Sequence, residues 1–343
     1  MTPYWILFLV PSMLALTRFR LSSGTWALLG AVVALVIGLR FEVGGDWGSY
    51  LAHLSVITAR SFREALFGSD PGYYTINWIA GNLGAGIWLV NLICGTVVAA
   101  GLIRFIKRLP EPNLALAIAI PYIVIVLAMG YSRQAAAFGF MLWGLVSLAD
   151  RRNLGFVIAI VFAATFHKSA VLLLPLAVLA ATQHRVRTAA WVGISAAVLY
   201  GLFLAEKADD LWYAYVESEY AMASEGGAIR VFMNAVPAIV FLATYKRFAM
   251  TSEQRALWFW ISVFSLACVP LVFQAATAVD RVALYLMPIQ LVVWSYAPQL
   301  VAPAQRVYVR LAVLGGYAAV LFVWLNYASH RDAWLPYQFW PFV

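Results

Sequence analysis

Short polar segments at the ends of long apolar runs carry most of the side chains that could perform chemistry in this chain. Arginine and lysine are suited to binding a phosphorylated group, and arginine presents its charge as a planar fork of donors. A nearby carboxylate or imidazole can act as a general base for a hydroxyl group. Residues of these types occur together with tyrosine or glutamine in four segments of the chain. The first holds Arg40, Asp46, Tyr50, Asp70 and Tyr73, the second Arg133 and Gln134, the third His167 and Lys168, and the fourth Asp280, Arg281 and Tyr285.

The distribution of basic residues predicts a site for a pyrophosphate. Charges at helix ends near the acyl region are costly unless they are paired or used, and several of them converging from different helices would bind an anion. If this pyrophosphate is the leaving group of a reaction with a hydroxyl, Asp46 is the first choice for the general base and His167 the second. Arg133 would also stabilise the departing pyrophosphate. The residues assigned to pyrophosphate binding are Arg40, Arg133, Lys168 and Arg281. Alternatively, these basic side chains extend to lipid headgroups or form ion pairs, including one within Asp280-Arg281.

Other side chains of the same segments could hold a sugar. Aromatic rings provide flat faces for stacking on sugar rings, although an aromatic belt at the membrane interface is the alternative reading. The residues assigned to sugar or acceptor binding are Tyr50, Asp70, Tyr73, Gln134, Asp280 and Tyr285. The chain has no clustered Asp-x-Asp pair for a divalent ion, and arginines can neutralise a diphosphate, so the prediction includes no metal and no cofactor.

Composition determines which elements must position these residues. The chain has 343 residues, of which 64% are hydrophobic and 11% charged, with a mean hydropathy of +0.84. These values exclude a soluble domain. The strands of a membrane β-barrel alternate apolar and polar residues, whereas long stretches of this chain are apolar at nearly every position, which excludes a barrel. They predict an all-α, polytopic membrane protein with about 12 membrane helices, some of them short or broken.

Hydropathy and helix breakers give the approximate positions of these spans. They are 3–17, 24–40, 86–106, 113–130, 134–149, 154–166, 169–182, 188–204, 230–245, 256–274, 282–297 and 307–327. The spans 154–166 and 169–182 are short, which indicates either tilted helices or a broken pair meeting at His167 and Lys168. The prediction is a single transmembrane catalytic domain over 1–343, with loops 41–85 and 205–229 as substrate-binding insertions.

Alternation of these spans places 14 of the 23 basic residues in one set of short loops. The positive-inside rule assigns that face to the cytoplasm and both termini to the outside. The net charge of +8 mostly reflects this face, so it does not indicate nucleic-acid binding. Topology does not explain the basic residues at the outer ends of spans, which are Arg40, Arg133, Lys168, Arg230 and Arg281.

The order of these motifs resembles the EpsG family of Wzy-type polysaccharide polymerases. The resemblance rests on Arg40, the glycine-rich approach to Asp46, Asp-Pro-Gly-Tyr at 70–73, Arg133-Gln134, His-Lys-Ser-Ala at 167–170, Asp280-Arg281 with Tyr285, and Trp-Leu-Pro-Tyr at 334–337. It implies a bacterial inner-membrane enzyme with a GT-C-like architecture. Such an enzyme lengthens a surface polysaccharide or exopolysaccharide, such as an O-antigen, from oligosaccharides linked to undecaprenyl pyrophosphate. The resemblance also implies a flippase and a chain-length regulator as partners.

Two other membrane enzymes remain as alternatives. A GT-C-type glycosyltransferase that uses a polyprenyl-phosphate sugar would also have acidic residues in the first outer loop, as Glu42 and Asp46 are here. A membrane O-acyltransferase is less favoured, because its donor comes from the cytoplasm and the predicted inner loops hold one histidine, His184. A transporter would require repeated halves with polar groups near the membrane midplane, which the sequence does not show.

Overall fold

A computed structural model describes residues 1–17, 19–181, 185–203 and 226–343. Most of the predicted 205–229 insertion, and His184, lie outside these residues. The chain divides into two compact units. Unit 1 comprises Met1–Phe140, Thr165–His167 and Val301–Val343, and unit 2 comprises Met141–Ala164 and Lys168–Leu300. The single catalytic domain over 1–343 stays a prediction.

The described residues are almost entirely helical. The helices are α1 (Thr2–Leu16), α2 (Ser23–Gly38), α3 (Trp47–Thr58), α4 (Phe62–Leu66), α5 (Pro71–Asn82), α6 (Gly86–Ile106), α7 (Pro112–Ala119, continued by a π-helix at Ile120–Ala128), α8 (Ser132–Ala149), α9 (Asn153–Phe166), α10 (Pro175–Ala180), α11 (Arg185–Phe203), α12 (Gly227–Thr244), α13 (Ser252–Leu271), α14 (Ala276–Leu286), α15 (Pro288–Tyr296) and α16 (Arg306–Tyr327). Short 3₁₀ segments cover Lys168–Leu173, Tyr245–Arg247, Ala297–Leu300, Pro303–Gln305, Arg331–Ala333 and Trp340–Phe342. The strands β1 (Arg40–Phe41) and β2 (Gln338–Phe339) pair antiparallel, with Arg40 opposite Phe339.

Each predicted span overlaps a helical segment, which confirms the all-α class. Among the described residues, four helices are long and apolar enough to cross a membrane: Gly86–Ile106, Gly227–Arg247, Ser252–Leu271 and Pro303–Tyr327. A fifth crossing results if Ala276–Leu286 and Pro288–Leu300, bent by 43°, form one span. Six further apolar helical segments of the described chain are shorter, with 10–17 residues. The count of about 12 crossings and the GT-C-like architecture stay predictions.

In unit 1, the C-terminal segment fixes the beginning of the predicted 41–85 loop. The Tyr4 hydroxyl donates to the Trp334 carbonyl at 2.7 Å, and Trp334 Nε1 donates to the Ile125 carbonyl at 2.9 Å. The Gly44 amide donates to the Ala333 carbonyl at 2.7 Å. Together with the pairing of β1 and β2, these bonds hold the chain that leads from α2 into α3.

The predicted 41–85 loop is built from three short helices. Ser61 and Glu64 form a capping box at the start of α4, and Pro71 begins α5 where no amide donor is needed. Helices α3 and α5 approach closely at Gly81, where an added Cβ atom would lie only 1.8 Å from Thr58 Oγ1. One face of α3 therefore packs against one face of α5.

Unit 2 contains a buried polar network among its helices. Asn234 on α12 donates through Nδ2 to the Ala283 carbonyl at 2.8 Å, and Gln290 Nε2 donates to Asn234 Oδ1 at 2.7 Å. These bonds join α12 to α14 and α15. A second contact, from Arg151 to Glu253 at 2.8 Å, connects the end of α8 with the start of α13.

Candidate functional site

One face of α3 carries three polar residues. Asp46 directly precedes the helix, and Tyr50 and His53 follow it four and seven positions later, a spacing that places all three on one side of a helix. The Tyr50 amide donates to the Asp46 carbonyl at 2.9 Å, so the helical turn already includes Asp46. Tyr50 is buried, while Asp46 and His53 are half-buried. The spacing of these residues is the signal in the sequence that points to His53.

One face of α5 carries a second polar group. Asp70 precedes the helix, and Tyr73, Tyr74 and Asn77 follow at positions that lie on the same side. Asp70, Tyr73 and Asn77 are buried. The Asn77 amide donates back to the Tyr73 carbonyl at 2.7 Å. This face therefore offers a carboxylate and tyrosine rings within two turns.

The two faces meet through their rings. The ring centroids of Tyr50 and Tyr73 are 6.0 Å apart. The His53 ring lies 5.6 Å from that of Tyr73 and 4.8 Å from that of Tyr74. His53 Nε2 is buried and has no hydrogen-bond partner among the described residues. A buried polar atom of this kind requires an explanation, such as a bound water or ligand.

Arg133, at the start of α8, completes this arrangement. Its Nη1 donates to Asp70 Oδ2 at 3.0 Å, and its Cζ lies 5.8 Å from the centre of the Tyr73 ring. The Arg133 side chain is 40% exposed, whereas that of Asp70 is 8% exposed. Because a guanidinium has five donors, Arg133 can keep this ion pair and still bind an anion from the exposed side. We refer to Tyr50, His53, Asp70, Tyr73 and Arg133 as the Arg133 cluster.

Electrostatics determine the protonation states within the cluster. Burial, and then the positive charges of Arg133 and Arg60, lower the pKa of His53 to about 4. Burial raises the pKa of Tyr73 well above its ordinary value. At neutral pH, His53 is therefore a neutral imidazole and Tyr73 a neutral phenol. The cluster consequently combines the Arg133–Asp70 ion pair, whose guanidinium is partly exposed, with uncharged hydrogen-bonding groups, and this set suits an anionic group carrying sugar hydroxyls.

Arg40, the residue assigned to pyrophosphate from the sequence, lies in a different environment. Its side chain is 1% exposed, and its guanidinium donates to the carbonyls of Ile37 at 2.5 Å and Val43 at 3.0 Å. It also donates to Ser132 Oγ at 2.8 Å and Asn91 Oδ1 at 3.4 Å. These bonds use all three nitrogens of the guanidinium. We assign Arg40 a structural role, joining the β1 segment to α6 and α8.

The remaining predicted residues of unit 1 lie close to the cluster in the chain or beside its helices. Gln134 follows Arg133 in α8 and is 1% exposed. His167 follows a segment that packs against the start of α5, since a Cβ atom on Gly72 would lie 2.5 Å from Thr165 Oγ1. His167 is half-buried. The roles of Gln134, His167 and Asp46 stay predictions.

The other predicted residues belong to unit 2. Asp280 is buried and forms an ion pair with Arg230, which is also buried. This pair joins α14 to α12, whereas the alternative expected from the sequence was a pair within Asp280-Arg281. Ser169 Oγ donates to the Tyr285 hydroxyl at 3.4 Å. Lys168 and Arg281 are half-buried, and their assignment to pyrophosphate stays a prediction.

Comparison with known protein families identifies the family to which the chain belongs. No curated protein and no solved structure matches the chain. The sequence profile of the EpsG family matches residues 4–339, which include every residue of the Arg133 cluster. Because this match spans nearly the whole chain, the protein belongs to the EpsG family.

Proposed function

We propose that the protein is a bacterial polysaccharide polymerase that joins oligosaccharide repeat units linked to undecaprenyl pyrophosphate. The reaction takes place on the outer face of the inner membrane and releases undecaprenyl pyrophosphate. EpsG membership indicates a membrane enzyme of polysaccharide biosynthesis, and the apolar helices agree with a location in the membrane. The specific reaction is what the resemblance to Wzy-type polymerases implies, and the Arg133 cluster supports it.

The observation that carries the proposal is the partly exposed guanidinium of Arg133, which is paired with a buried carboxylate and lies beside the Tyr73 ring. Asp70 and Tyr73 fix the guanidinium from one side, so it is oriented before any substrate binds. A preorganised cation of this kind stabilises charge that develops on a departing diphosphate. The aromatic and hydroxyl groups of Tyr50 and Tyr73 suit the sugar next to that diphosphate.

The proposed reaction is a displacement at the anomeric carbon of the donor. A hydroxyl oxygen of the acceptor sugar forms the new bond to this carbon, and the bond between the carbon and the pyrophosphate oxygen breaks. The pyrophosphate leaves with the bonding electron pair and is bound by Arg133. The hydroxyl proton goes to a general base, for which Asp46 is the first candidate and His167 the second. His53, with a pKa of about 4, is a neutral imidazole at neutral pH, and we assign it to hydrogen bonding with the substrate.

The experiment that tests this function is mass analysis of lipid-linked glycans and exported polysaccharide in the native host with and without the gene. We expect deletion to leave single repeat units on the lipid and to abolish long chains. Loss of one sugar with chain length preserved would favour the glycosyltransferase that uses a polyprenyl-phosphate sugar. Loss of an acyl group alone would favour the O-acyltransferase. Either of these two results would contradict the proposal.

A further inference from the structure

A cavity of about 540 Å³ lies in unit 2, beside the end of α8 and the beginnings of α9 and α11. Leu154 and Val157 line it from α9. Four residues line it from α11 at the spacing of one helix face, namely Thr188, Trp191, Val192 and Ser195. Asn153 Nδ2 donates to Thr188 Oγ1 at 3.2 Å, which joins the beginnings of the two helices. The cavity is therefore a mainly apolar space that extends along α9 and α11.

An arginine with an unusual backbone conformation lines this cavity. Arg151 follows α8 with a φ of 62°, in the left-handed region that glycine ordinarily occupies after the end of a helix. Its amide donates to the Leu148 carbonyl at 3.0 Å, and the Arg152 amide donates to the Ser147 carbonyl at 2.8 Å, which is the bonding pattern of a Schellman motif. An arginine costs stability at such a position relative to glycine, so its side chain requires an explanation.

A buried carboxylate fixes the side chain of Arg151. Arg151 Nη2 donates to Glu253 Oε2 at 2.8 Å, and both residues line the cavity. The Arg151 side chain is 59% exposed, whereas that of Glu253 is 8% exposed. Among the residues that the structure describes, this is the one hydrogen bond of the Arg151 guanidinium. The remaining donors of this oriented guanidinium are therefore available to a second anion.

A second cation lines the same cavity. Arg187 is exposed, and it forms no hydrogen bond or ion pair with any described residue. Of the described residues that line the cavity, Glu253 alone is acidic, and it already binds Arg151. Asp150 precedes Arg151 in the chain but does not line the cavity. Two cations and one carboxylate give the site a net positive charge, on the face that the sequence predicts to be cytoplasmic.

We propose that this cavity binds an acidic glycerophospholipid of the cytoplasmic leaflet. The lipid phosphate lies between Arg151 and Arg187, and one acyl chain lies along the apolar residues of α9 and α11. A basic pocket between membrane helices is suited to such headgroups. A free phosphate would use the arginines alone, whereas a phospholipid also covers the apolar surface, and we therefore commit to the lipid. This site does not depend on the proposed polymerase reaction, whose pyrophosphate lies at the opposite face.

The length of the cavity agrees with this ligand. From Arg187 to Ser195 an α-helix rises by roughly 12 Å, at about 1.5 Å per residue. The hydrocarbon thickness of one leaflet is roughly 15 Å, half of a core of about 30 Å. An acyl chain whose phosphate lies beside Arg187 can therefore extend along α11 as far as Ser195. Trp191, which is 66% exposed, lies between these positions, and an indole is suited to the region of the headgroups.

The experiment is native mass spectrometry of the purified full chain in detergent, titrated with phosphatidylglycerol or with phosphatidylethanolamine of the same acyl chains. We expect phosphatidylglycerol to bind at an about tenfold lower concentration, because the two arginines attract its phosphate and repel the ammonium of ethanolamine. Arg187→Gln removes a side chain without a described polar partner, so it should fold normally and bind phosphatidylglycerol about fivefold more weakly. Arg151→Gln/Arg187→Gln/Glu253→Gln should lose the preference. Equal binding of the two lipids to the unaltered protein would overturn the proposal.

Matched controls separate a specific site from diffuse charge. The triple variant removes two positive charges and one negative charge, and Arg152→Gln lowers the net charge by the same amount at an exposed position outside the cavity. Val157→Phe/Ser195→Phe keeps the charges but fills the cavity, and it should weaken phosphatidylglycerol binding about fivefold. Its control is Ile158→Phe/Ile194→Phe, at exposed positions that do not line the cavity.

Both controls should keep the preference for phosphatidylglycerol. An equal loss in a control and in its matched variant would overturn the proposal, as would full binding by Arg187→Gln and by the filled variant. Two competitors test the occupant. Displacement by inorganic phosphate alone would identify a site for free phosphate, and displacement by undecaprenyl phosphate at a lower concentration than phosphatidylglycerol would identify a polyprenyl site. Either result would contradict a phospholipid.

Discussion

Arg133 and Asp70, which are 63 positions apart in the chain, form an ion pair in which the carboxylate is buried and the guanidinium is partly exposed. The buried partner determines the position of the exposed one. Asp70 lies at the start of α5 and Arg133 in the first turn of α8, so the pair also connects these helices. An oriented, accessible arginine is the feature of the cluster on which the proposed reaction depends.

Replacement of Arg133 should abolish chain elongation. We expect Arg133→Ala to lower the elongation rate by about 10²–10³-fold, the typical effect of losing one preorganised donor. Arg133→Lys should recover only part of the activity, because an ammonium cannot reproduce the fork of a guanidinium. The measurement is the product ladder at matched membrane expression. Arg63→Ala, at an exposed position of α4, is the control and should give a full ladder. A full ladder from Arg133→Ala would remove Arg133 from the mechanism.

The two members of this ion pair should be coupled in stability. We expect Arg133→Ala to lower the free energy of unfolding by about 1–3 kcal/mol, because the buried Asp70 carboxylate loses a charged donor. The double variant Arg133→Ala/Asp70→Asn should lose less than the sum of the two single variants. Unfolding of the four proteins in the same detergent gives the coupling energy. Additive losses would show that the ion pair contributes nothing to the fold.

The low pKa of His53 should make the protein less stable in mild acid. In the unfolded chain, histidine binds a proton near its ordinary pKa of about 6.5. In the folded protein, His53 does so only near pH 4. Between these values the unfolded state holds more protons, so stability falls as the pH is lowered from about 6.5 to about 4.

The check is thermal unfolding against pH for the unaltered protein and for His53→Gln. We expect the variant to show a shallower loss of stability between about pH 6.5 and 4. His330→Gln changes an exposed histidine of the C-terminal segment and serves as the control, which should keep the full slope. If His53→Gln and the control retain the same slope, His53 does not hold a depressed pKa.

The helices of the predicted spans could be predicted from the sequence because each of these spans is a mainly apolar run ended by polar or helix-breaking residues. Helices α3, α4 and α5 lie in the segment 41–85, which the sequence predicts as a loop. The pairing of polar residues could not be predicted. Asp280 has Arg281 beside it in the chain, yet it pairs with Arg230, which is 50 positions away. Adjacent residues on a helix point in different directions, whereas α12 and α14 bring distant residues together. Local sequence therefore indicated a charged position but not its partner.

The Arg133 cluster was predictable in part. Topology identified Arg133 as a candidate, and residue types and family motifs identified Asp70, Tyr50 and Tyr73; the structure brings these four together. His53 was not among the predicted site residues, although its spacing from Tyr50 places it on the same helix face. Arg40 was assigned to a ligand because sequence alone cannot distinguish an arginine that faces solvent from one that satisfies buried carbonyls.

A substitution at Arg40 should therefore affect folding rather than substrate binding. We expect Arg40→Gln to lower the free energy of unfolding by roughly 2–5 kcal/mol, because several buried acceptors lose their donor. Thermal unfolding and the yield of folded protein measure this effect. Elongation per folded molecule should remain close to normal. A variant that folds with normal stability but no longer binds lipid-linked donor would instead support the assignment of Arg40 to pyrophosphate.

Substitution by alanine should have opposite effects on stability at Gly44, which precedes α3, and at Gly48, which lies within it. Gly44 has a positive φ of 110°, and a Cβ atom there would lie 2.2 Å from the Met129 carbonyl oxygen. Gly44→Ala should therefore displace the approach to Asp46 and lower both stability and elongation. A Cβ atom on Gly48 would meet nothing within 4 Å, and Gly48 lies in a helix. Gly48→Ala should raise the free energy of unfolding by about 0.5–1 kcal/mol, since it reduces the freedom of the unfolded chain. Equal effects of the two substitutions on the unfolding temperature would contradict the close approach of Gly44 to Met129.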